Sequence, residues 1–385
     1  MPDAFILGIE TSCDETAAAV VRSGEEIVSN VVASQITLHQ PYGGVVPELA
    51  SREHLRAIVP VVRQALEKSK QAYSTLDAIA VTQGPGLAGA LLVGISYAKA
   101  LAYALEKPLV AVNHLEGHIH AVLLEERANG NHAVVFPVLA LVVSGGHTHL
   151  YLAERRTSGW IYENVGHTRD DAAGEAFDKT AKLLGLGYPG GPIIDRLSPY
   201  GDPTAVRFAF SQMKHRDRRD VSRNSGEAED SRPHFDFSYS GIKTAVLRYV
   251  ETHDMRERVE TRHKAFSALA QPELEDYLAN CDQETLDLIA SFQRAVVRDL
   301  VSKTLTAARA CNAATLFVTG GVAANSELRR TFEQEAAKEG LPAYFPSRPL
   351  STDNAAMIAA AAYPRFLAHQ FAPSDFCAEP GLVLR

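Results

Sequence analysis

Two stretches of this chain repeat one pattern: "FILGIETSCDETAAAVV" at residues 5–21 and "PVLALVVSGGHTHLYLA" at residues 137–153 each run from an apolar segment through a polar turn into a second apolar segment. That pattern reads as a strand, a turn and a strand. A hairpin repeated at the opening of each half of a 385-residue chain predicts a duplicated architecture of two α/β lobes. The length agrees, being too great for one ordinary core and suited to two domains. The expected division is an N-terminal lobe at 1–132 and a C-terminal lobe at 133–350, with a C-terminal helix near 354–370 packing back on the first lobe.

Between the hairpins, "REHLRAIVPVVRQALEK" places Leu55, Ile58, Val59, Val62 and Leu66 at helical spacing. The strand "LDAIAVTQGPG", a helix from about Leu91 to Leu105 and the strand "PLVAVNH" follow, the alternation of strands with crossover helices. The second half holds a Gly-rich turn, "LGYPGGPIIDRL", a segment "FDFSYSGIKTAVL", and a long helical region from about Glu284 to Arg309. A strand and Gly-Gly turn, "TLFVTGG", then lead into a helix that starts near Asn325 and Ser326. "STDNAAMIAAAAYPRFL" reads as a capped start before an Ala-rich helix.

A formal net charge of -8 argues against a general polyanion binder, whose affinity rests on neutralising phosphates with Lys and Arg. "KHRDRRDVSRNSGEAEDSRP", residues 214–233, has an Arg-rich first half, an acidic second half and no apolar period; it reads as a charged surface loop, with RNA contact as the lesser alternative. No apolar run reaches the roughly 20 residues of a membrane span, and the opening residues lack a signal-peptide pattern. The expectation is a cytoplasmic protein with no membrane partner. Cys13, Cys281, Cys311 and Cys377 form no C-x-x-C pair and read as reduced structural thiols.

The chemistry gathers in a few motifs. "NHLEGH" puts His114 and His118 one helical turn apart where a strand ends and a helix begins, so both imidazoles can face one metal ion. Ligands collect at the carboxyl ends of strands in open α/β sheets, which favours a site here. A zinc-protease helix places its glutamate directly after the first histidine; here that position is Leu115, and Glu116 lies about 200° round the helix from His114. A third ligand must come from elsewhere: Asp353 at the head of the last helix, or a carboxylate of "DDAAGEAFD" at 170–178. Two histidines and one carboxylate with open positions suit Fe(II), with zinc or manganese as alternatives.

Three polar turns, "GIETSCDET", "VVSGGHT" and "VTGGVAANSE", recur in order. Ser144, Gly145 and Gly146 offer backbone N–H groups to an anion, Gly320 and Gly321 permit close ligand approach, and Asn325 leads into a helix whose amino end can face phosphate or ribose. "AFDKTAKLLGLGYPGGPIID" supplies Asp178 and Asp195 for ribose hydroxyls, and Gly190 and Gly191 for a purine lying against backbone. Together they point to a nucleotide held between two lobes.

The motifs GIETSCDET, GGVVPELASREH, TQGPGLAGALLVG, NHLEGH, LVVSGGHT, GEAFDK, YPGGP, DFSYSGIKT, VTGGVAANS and STDNAAMIA resemble, in order from about Ile6 to Pro364, the bacterial TsaD family, formerly labelled glycoproteases. The resemblance implies the two-lobed fold of actin, sugar kinases and Hsp70 ATPases, with the ligand in the interlobe cleft. It implies transfer of a threonylcarbamoyl group from threonylcarbamoyl-AMP to N6 of adenosine 37 in tRNAs reading ANN codons. It also implies His114, His118 and Asp353 as metal ligands, and Val142, Val143, Ser144, Gly145, Gly146, Asp178, Gly191, Asp195 and Asn325 as adenylate-binding positions. Glu15 is implied as an acid needed for activity. The implied partners are TsaB, TsaE and an upstream threonylcarbamoyl-AMP synthase. The charged loop at 214–233 looks inserted relative to that family. A metallopeptidase and a non-catalytic nucleotide-binding scaffold are the competing readings.

Overall fold

The computed structural model describes residues 3–156, 159–208, 235–269 and 271–385; the charged loop expected at 214–233 lies outside the described residues. The first hairpin pairs β1 (Phe5–Glu10) with β2 (Glu15–Arg22), and β2 continues antiparallel to β3 (Glu26–Ser34). On the other side of β1, β4 (Ala78–Gly84) and β5 (Leu109–Asn113) add in parallel, for an order of β3-β2-β1-β4-β5. The second hairpin pairs β6 (Val138–Val143) with β7 (Thr148–Arg156), followed by antiparallel β8 (Gly159–His167). Beyond β6, β9 (Thr315–Thr319) and β10 (Ala343–Tyr344) add in parallel, for an order of β10-β9-β6-β7-β8. The two sheets therefore share one topology, strand for strand: the architecture expected of the actin, sugar kinase and Hsp70 ATPase fold.

Both faces of each sheet are buried, so the central strands read as continuous apolar runs. In the first sheet Leu7, Ile9, Ile79 and Val81 pack under the helices Pro47–Ser69 and Ala88–Leu105, while Ile6, Ala78, Ala80 and Val110 pack against the C-terminal helix Ala355–Leu367. In the second sheet Leu139, Leu141 and Val318 face the long helix Gln283–Ala310, and Val138, Ala140 and Phe317 face the helix His114–Ala128. Each of the Leu, Ile, Val and Phe side chains among them contributes about 1.5–3 kcal/mol when fully buried. Two helices thus lie between the sheets, His114–Ala128 on the second and Ala355–Leu367 on the first, packed against each other. Their amino ends carry the histidines and Asp353.

Some local expectations change. "PGGPIIDRL" is no open turn: its glycines start the helix Gly190–Leu197, and "SGIKTAVL" opens the helix Ser240–Thr252. The apolar stripe of helix Pro47–Ser69 is split, with Ile58, Val62 and Leu66 buried but Leu55 and Val59 exposed. Among the described residues one helix, Ala88–Leu105, is long and apolar enough to cross a membrane; it packs against β4 and helix Pro47–Ser69 through Ala90, Leu91, Ile95 and Ala98, as a core helix does. Cys13, Cys281 and Cys377 form no disulfide.

Candidate active site

The Asn113 side chain accepts a hydrogen bond from the Leu115 backbone N–H at 2.9 Å and starts the helix immediately after β5. His114 and His118 follow one turn apart, buried at 3% and 0% exposure, with ring centroids 4.7 Å apart. The last helix is capped in the same way, Asn354 accepting from Met357 N–H, and this sets Asp353 just ahead of it. Asp353 Oδ1 lies 3.2 Å from His118 Nε2 and 3.5 Å from His114 Nε2. One ligand atom from each of the three falls within 4.8 Å of the others.

These residues fit a metal ion on an observation independent of any family. Both ring nitrogens of His118 are buried without a hydrogen-bond partner; its contact with Asp353 lacks hydrogen-bond geometry, as expected of lone pairs aimed at a common point. His114 Nδ1 is 3.0 Å from Glu10 Oε2 and 3.2 Å from the Ser12 hydroxyl, which fixes the tautomer that leaves Nε2 free, the usual support for a metal-bound imidazole. Burial opposes a charge on His114, yet the Asp353 and Glu10 carboxylates outweigh it and raise its pKa to about 9. Burial would raise Asp353, but His114 and His118 hold it well below the usual carboxylate range. Burial keeps His118 low and therefore neutral. A pocket that retains two carboxylates and pulls a proton onto one histidine favours a cation.

The alternative carboxylates of residues 170–178 are engaged elsewhere. Asp170 accepts from the Ser238 and Ser240 hydroxyls, Asp171 and Glu175 pair with Lys179, and Asp178 accepts from Gly190 N–H at 2.7 Å. Glu116 is 3% exposed, paired with Arg365 at 2.8 Å and bonded by the Tyr162 hydroxyl. It cannot serve as a base on a metal-bound water, so the metallopeptidase reading loses its catalytic group.

Of the positions expected to bind the nucleotide, Val142–Gly146 and Asn325 lie at or beyond the carboxyl ends of β6 and β9, while Asp178, Gly191 and Asp195 lie on the helices Ala173–Leu183 and Gly190–Leu197. Val142 and Val143 are buried in the second core and offer only main chain, whereas Gly145 and Gly146 are exposed. Gly320, at φ 94°, runs so close to β6 that a Cβ would stand 2.4 Å from the Val143 carbonyl; only glycine meets both demands. Gly174 N–H donates to the Ser144 carbonyl, tying in the helix Ala173–Leu183 that carries Asp178. Asp195 accepts from the N–H and hydroxyl of Ser326, while Asn325 caps the same helix at Leu328 N–H and donates to Gln293. An anion at that helix end would compete with the Asp195 carboxylate.

Glu15 begins β2 at the cleft. Burial and the neighbouring Asp14 and Asp353 carboxylates push its carboxyl well up, and the Ser34 hydroxyl donates to it at 3.4 Å. Two residues escaped the reading of the motifs. Glu10 stands fully buried at the end of an apolar strand, bonded by Thr82 and Ser12 as well as His114; a lone acid closing "FILGIE" was its signal. His147 follows the "SGG" turn, with its ring 6.0 Å from that of His114; burial, then the charge on His114, lower its pKa to about 3. Through it the second hairpin reaches the histidine pair of the first lobe.

A family model described as "TsaD: tRNA N6-adenosine threonylcarbamoyltransferase" matches residues 26–360. A protein of Koribacter versatilis (strain Ellin345) named tRNA N6-adenosine threonylcarbamoyltransferase is 70% identical over 385 residues, covering 100% of both chains. One of the same name from Syntrophobacter fumaroxidans is 49% identical over 376 residues, covering 98% of this chain and 97% of the relative. Among solved structures, full-length HypF in the phosphate- and nucleotide-bound form is similar with a TM-score of 0.54 at 12% identity, covering 96% of this chain and 56% of that one. The last bears on the fold alone.

Proposed function

This chain belongs to the TsaD family of tRNA N6-adenosine threonylcarbamoyltransferases, and from that premise we propose that its interlobe cleft moves the threonylcarbamoyl group of threonylcarbamoyl-AMP to N6 of adenosine 37 in tRNAs reading ANN codons. The chain is a transferase and its acceptor is tRNA. The observation that carries the proposal is the pairing of buried His114 and His118 and half-buried Asp353 on one lobe with the glycine turns Ser144–Gly146 and Gly320–Gly321 at strand ends of the other.

In this reading the second lobe holds the adenylate, its phosphate on the main chain of Val142–Gly146 and its ribose hydroxyls on Asp178 and Asp195, with Gly191 and Asn325 beside the purine. The carbamoyl carbonyl then points at His114, His118 and Asp353. His114, His118 and Asp353 would hold a divalent cation there, Fe(II) before Zn(II) or Mn(II), which would supply Lewis-acid polarisation of that carbonyl. As N6 attacks the carbamoyl carbon, the C–O bond to the AMP phosphate breaks, AMP leaves, and the N6 proton passes to Glu15. The anhydride is already activated, so positioning supplies much of the rate. Residues 1–132 with the last helix form the metal lobe in this scheme, and 133–350 the nucleotide lobe.

The test is reconstitution. The protein, its partners, ATP, threonine, bicarbonate and tRNA are incubated, and nucleosides are analysed by mass spectrometry. Threonylcarbamoyladenosine is expected from wild type, and its absence with active partners would sink the reading. In the same assay Glu15→Gln is expected to lose about 10²–10⁴ of turnover while AMP binds normally; equal loss of both would remove Glu15 from the chemistry.

Asp178 gives a pH dependence. Burial raises its carboxyl to about 6, against hydrogen bonds from Gly190 and Gly191 N–H that favour ionisation. An ionised carboxylate accepts from ribose and a protonated one does so poorly, so affinity is present above about 6 and lost as pH falls through it. Calorimetry with adenosine, which carries no titrating phosphate, is expected to show this loss in wild type and a flat, weaker profile in Asp178→Asn.

For partners we infer a TsaB paralogue seated on the packed helices Pro47–Ser69 and Ala88–Leu105, where Leu55, Val59, Leu92 and Tyr103 stand exposed. TsaE acts as the ATPase and a separate synthase supplies the intermediate. A chain of net charge -8 that borrows RNA-binding surface from partners works in the cytoplasm, where tRNA is found.

A further inference from the structure

A groove of about 620 Å³ opens where the lobes meet, between Gln40–Gly43 of the first and Lys182–Tyr188 with His263–Tyr277 of the second. Lys182 Nζ donates across it to the Tyr42 carbonyl at 3.3 Å. Its floor is aromatic: Tyr277 and Phe266 pack at 4.5 Å between centroids, and the Tyr277 hydroxyl donates to the Leu186 carbonyl. At the rim Tyr42 is 56% exposed and Leu269 41%. Lys182 and His263 line it, and in a chain of net charge -8 no carboxylate lines it among the described residues. Tyr188 of this lining lies two residues before Gly190, the donor to Asp178, and burial with the Asp14 and Asp178 carboxylates pushes its phenol up.

Resting on the tRNA-modifying reading, the inference concerns what surrounds the target base. An adenosine that reacts inside a cleft arrives with its neighbours covalently attached, and a loop nucleotide that leaves its stack needs a new apolar face. Exposed aromatic rings beside cationic side chains are how proteins hold unstacked bases and their phosphates. We propose that this groove receives an unstacked base of the tRNA loop next to the target adenosine, stacked on Tyr42 with its phosphate near Lys182 and His263. Neither ring nor cation touches the reacting atoms; they are positioning residues.

The experiment measures binding of a synthetic anticodon stem-loop RNA, and KM and kcat for tRNA, with the chain assembled with its partners. Stacking is worth about five- to a hundredfold per base, so Tyr42→Ala is expected to weaken stem-loop binding and raise KM by that factor, with kcat and AMP affinity held. Tyr42→Phe keeps the ring and is expected to stay within about twofold of wild type. Should Tyr42→Ala fail to fold, Lys182→Gln with His263→Gln serves instead, with a shallower salt dependence of stem-loop binding expected. Unchanged KM and binding in these variants would overturn the proposal. So would loss of partner assembly with intact stem-loop affinity, which would make the groove a protein-docking surface. Absence of product from wild type would instead strike the transferase reading itself.

Discussion

Asp353→Ala and His118→Ala protein, purified and titrated with Fe(II) or Zn(II), is expected to hold no stoichiometric metal and to form threonylcarbamoyladenosine roughly 10³-fold or more slowly than wild type. Three protein ligands hold an ion while leaving open positions for substrate, and removal of any one leaves a pair too weak to retain the ion against water. A Lewis acid supplies several kcal/mol of charge stabilisation at the carbonyl, and each 1.36 kcal/mol is tenfold in rate. Asp353 is partly exposed at a helix head, so its truncation opens no core cavity, whereas His118 is fully buried; thermal unfolding of both variants separates loss of metal from a folding defect. The same titration on Glu10→Gln is expected to show an intermediate loss of about 10- to 100-fold in affinity. The amide can no longer hold the His114 proton as the carboxylate does. Wild-type occupancy in Asp353→Ala would mean that the ion, if any, lies elsewhere.

What the sequence made legible follows from how local each signal is. The two hairpins and the strand end at His114 were readable because each is written in a short run of residues with its own turn. The exclusion of Glu116 also needed only helical geometry, and the Arg365 partner explains why an acid tolerates that buried position. Asp353 is different. Nothing in "STDNAA" distinguishes it from the acids at 170–178 until the fold packs two capped helices side by side, so the family resemblance had to choose between them. Glu10 was missed for a similar reason: an acid inside a strand declares a partner without naming it, and the partner, His114, is more than a hundred residues away. The Gly-Gly-Pro run misled because glycine permits a turn without requiring one, and here Asp178 accepts from Gly190 as a helix begins.

Glycine also decides whether the metal group can assemble at all. Gly8, in the middle of β1, faces the C-terminal helix so closely that a Cβ would stand 2.2 Å from the Ala355 carbonyl oxygen and 2.9 Å from Ala359 N. Both are backbone atoms and cannot rotate away, so Gly8→Ala must drive the helix off the sheet by about an ångström to regain ordinary contact. Asp353 sits two residues ahead of Ala355, and a ligand set tolerates only about 0.5 Å of misplacement. The expected result is about 1–3 kcal/mol of lost stability together with weaker metal binding, read by thermal unfolding and by metal titration on the folded fraction. Gly117 makes the contrast. A Cβ there meets side-chain atoms, the Ile358 Cδ1 at 2.9 Å and the Met357 Cγ at 3.1 Å, which can rotate aside, and alanine recovers up to about 1 kcal/mol of helix propensity, so Gly117→Ala is expected to be nearly neutral in both measurements. If the two alanine variants behave alike, contact between the strand and the last helix does not set the position of Asp353, and the ligand group is held by its caps alone.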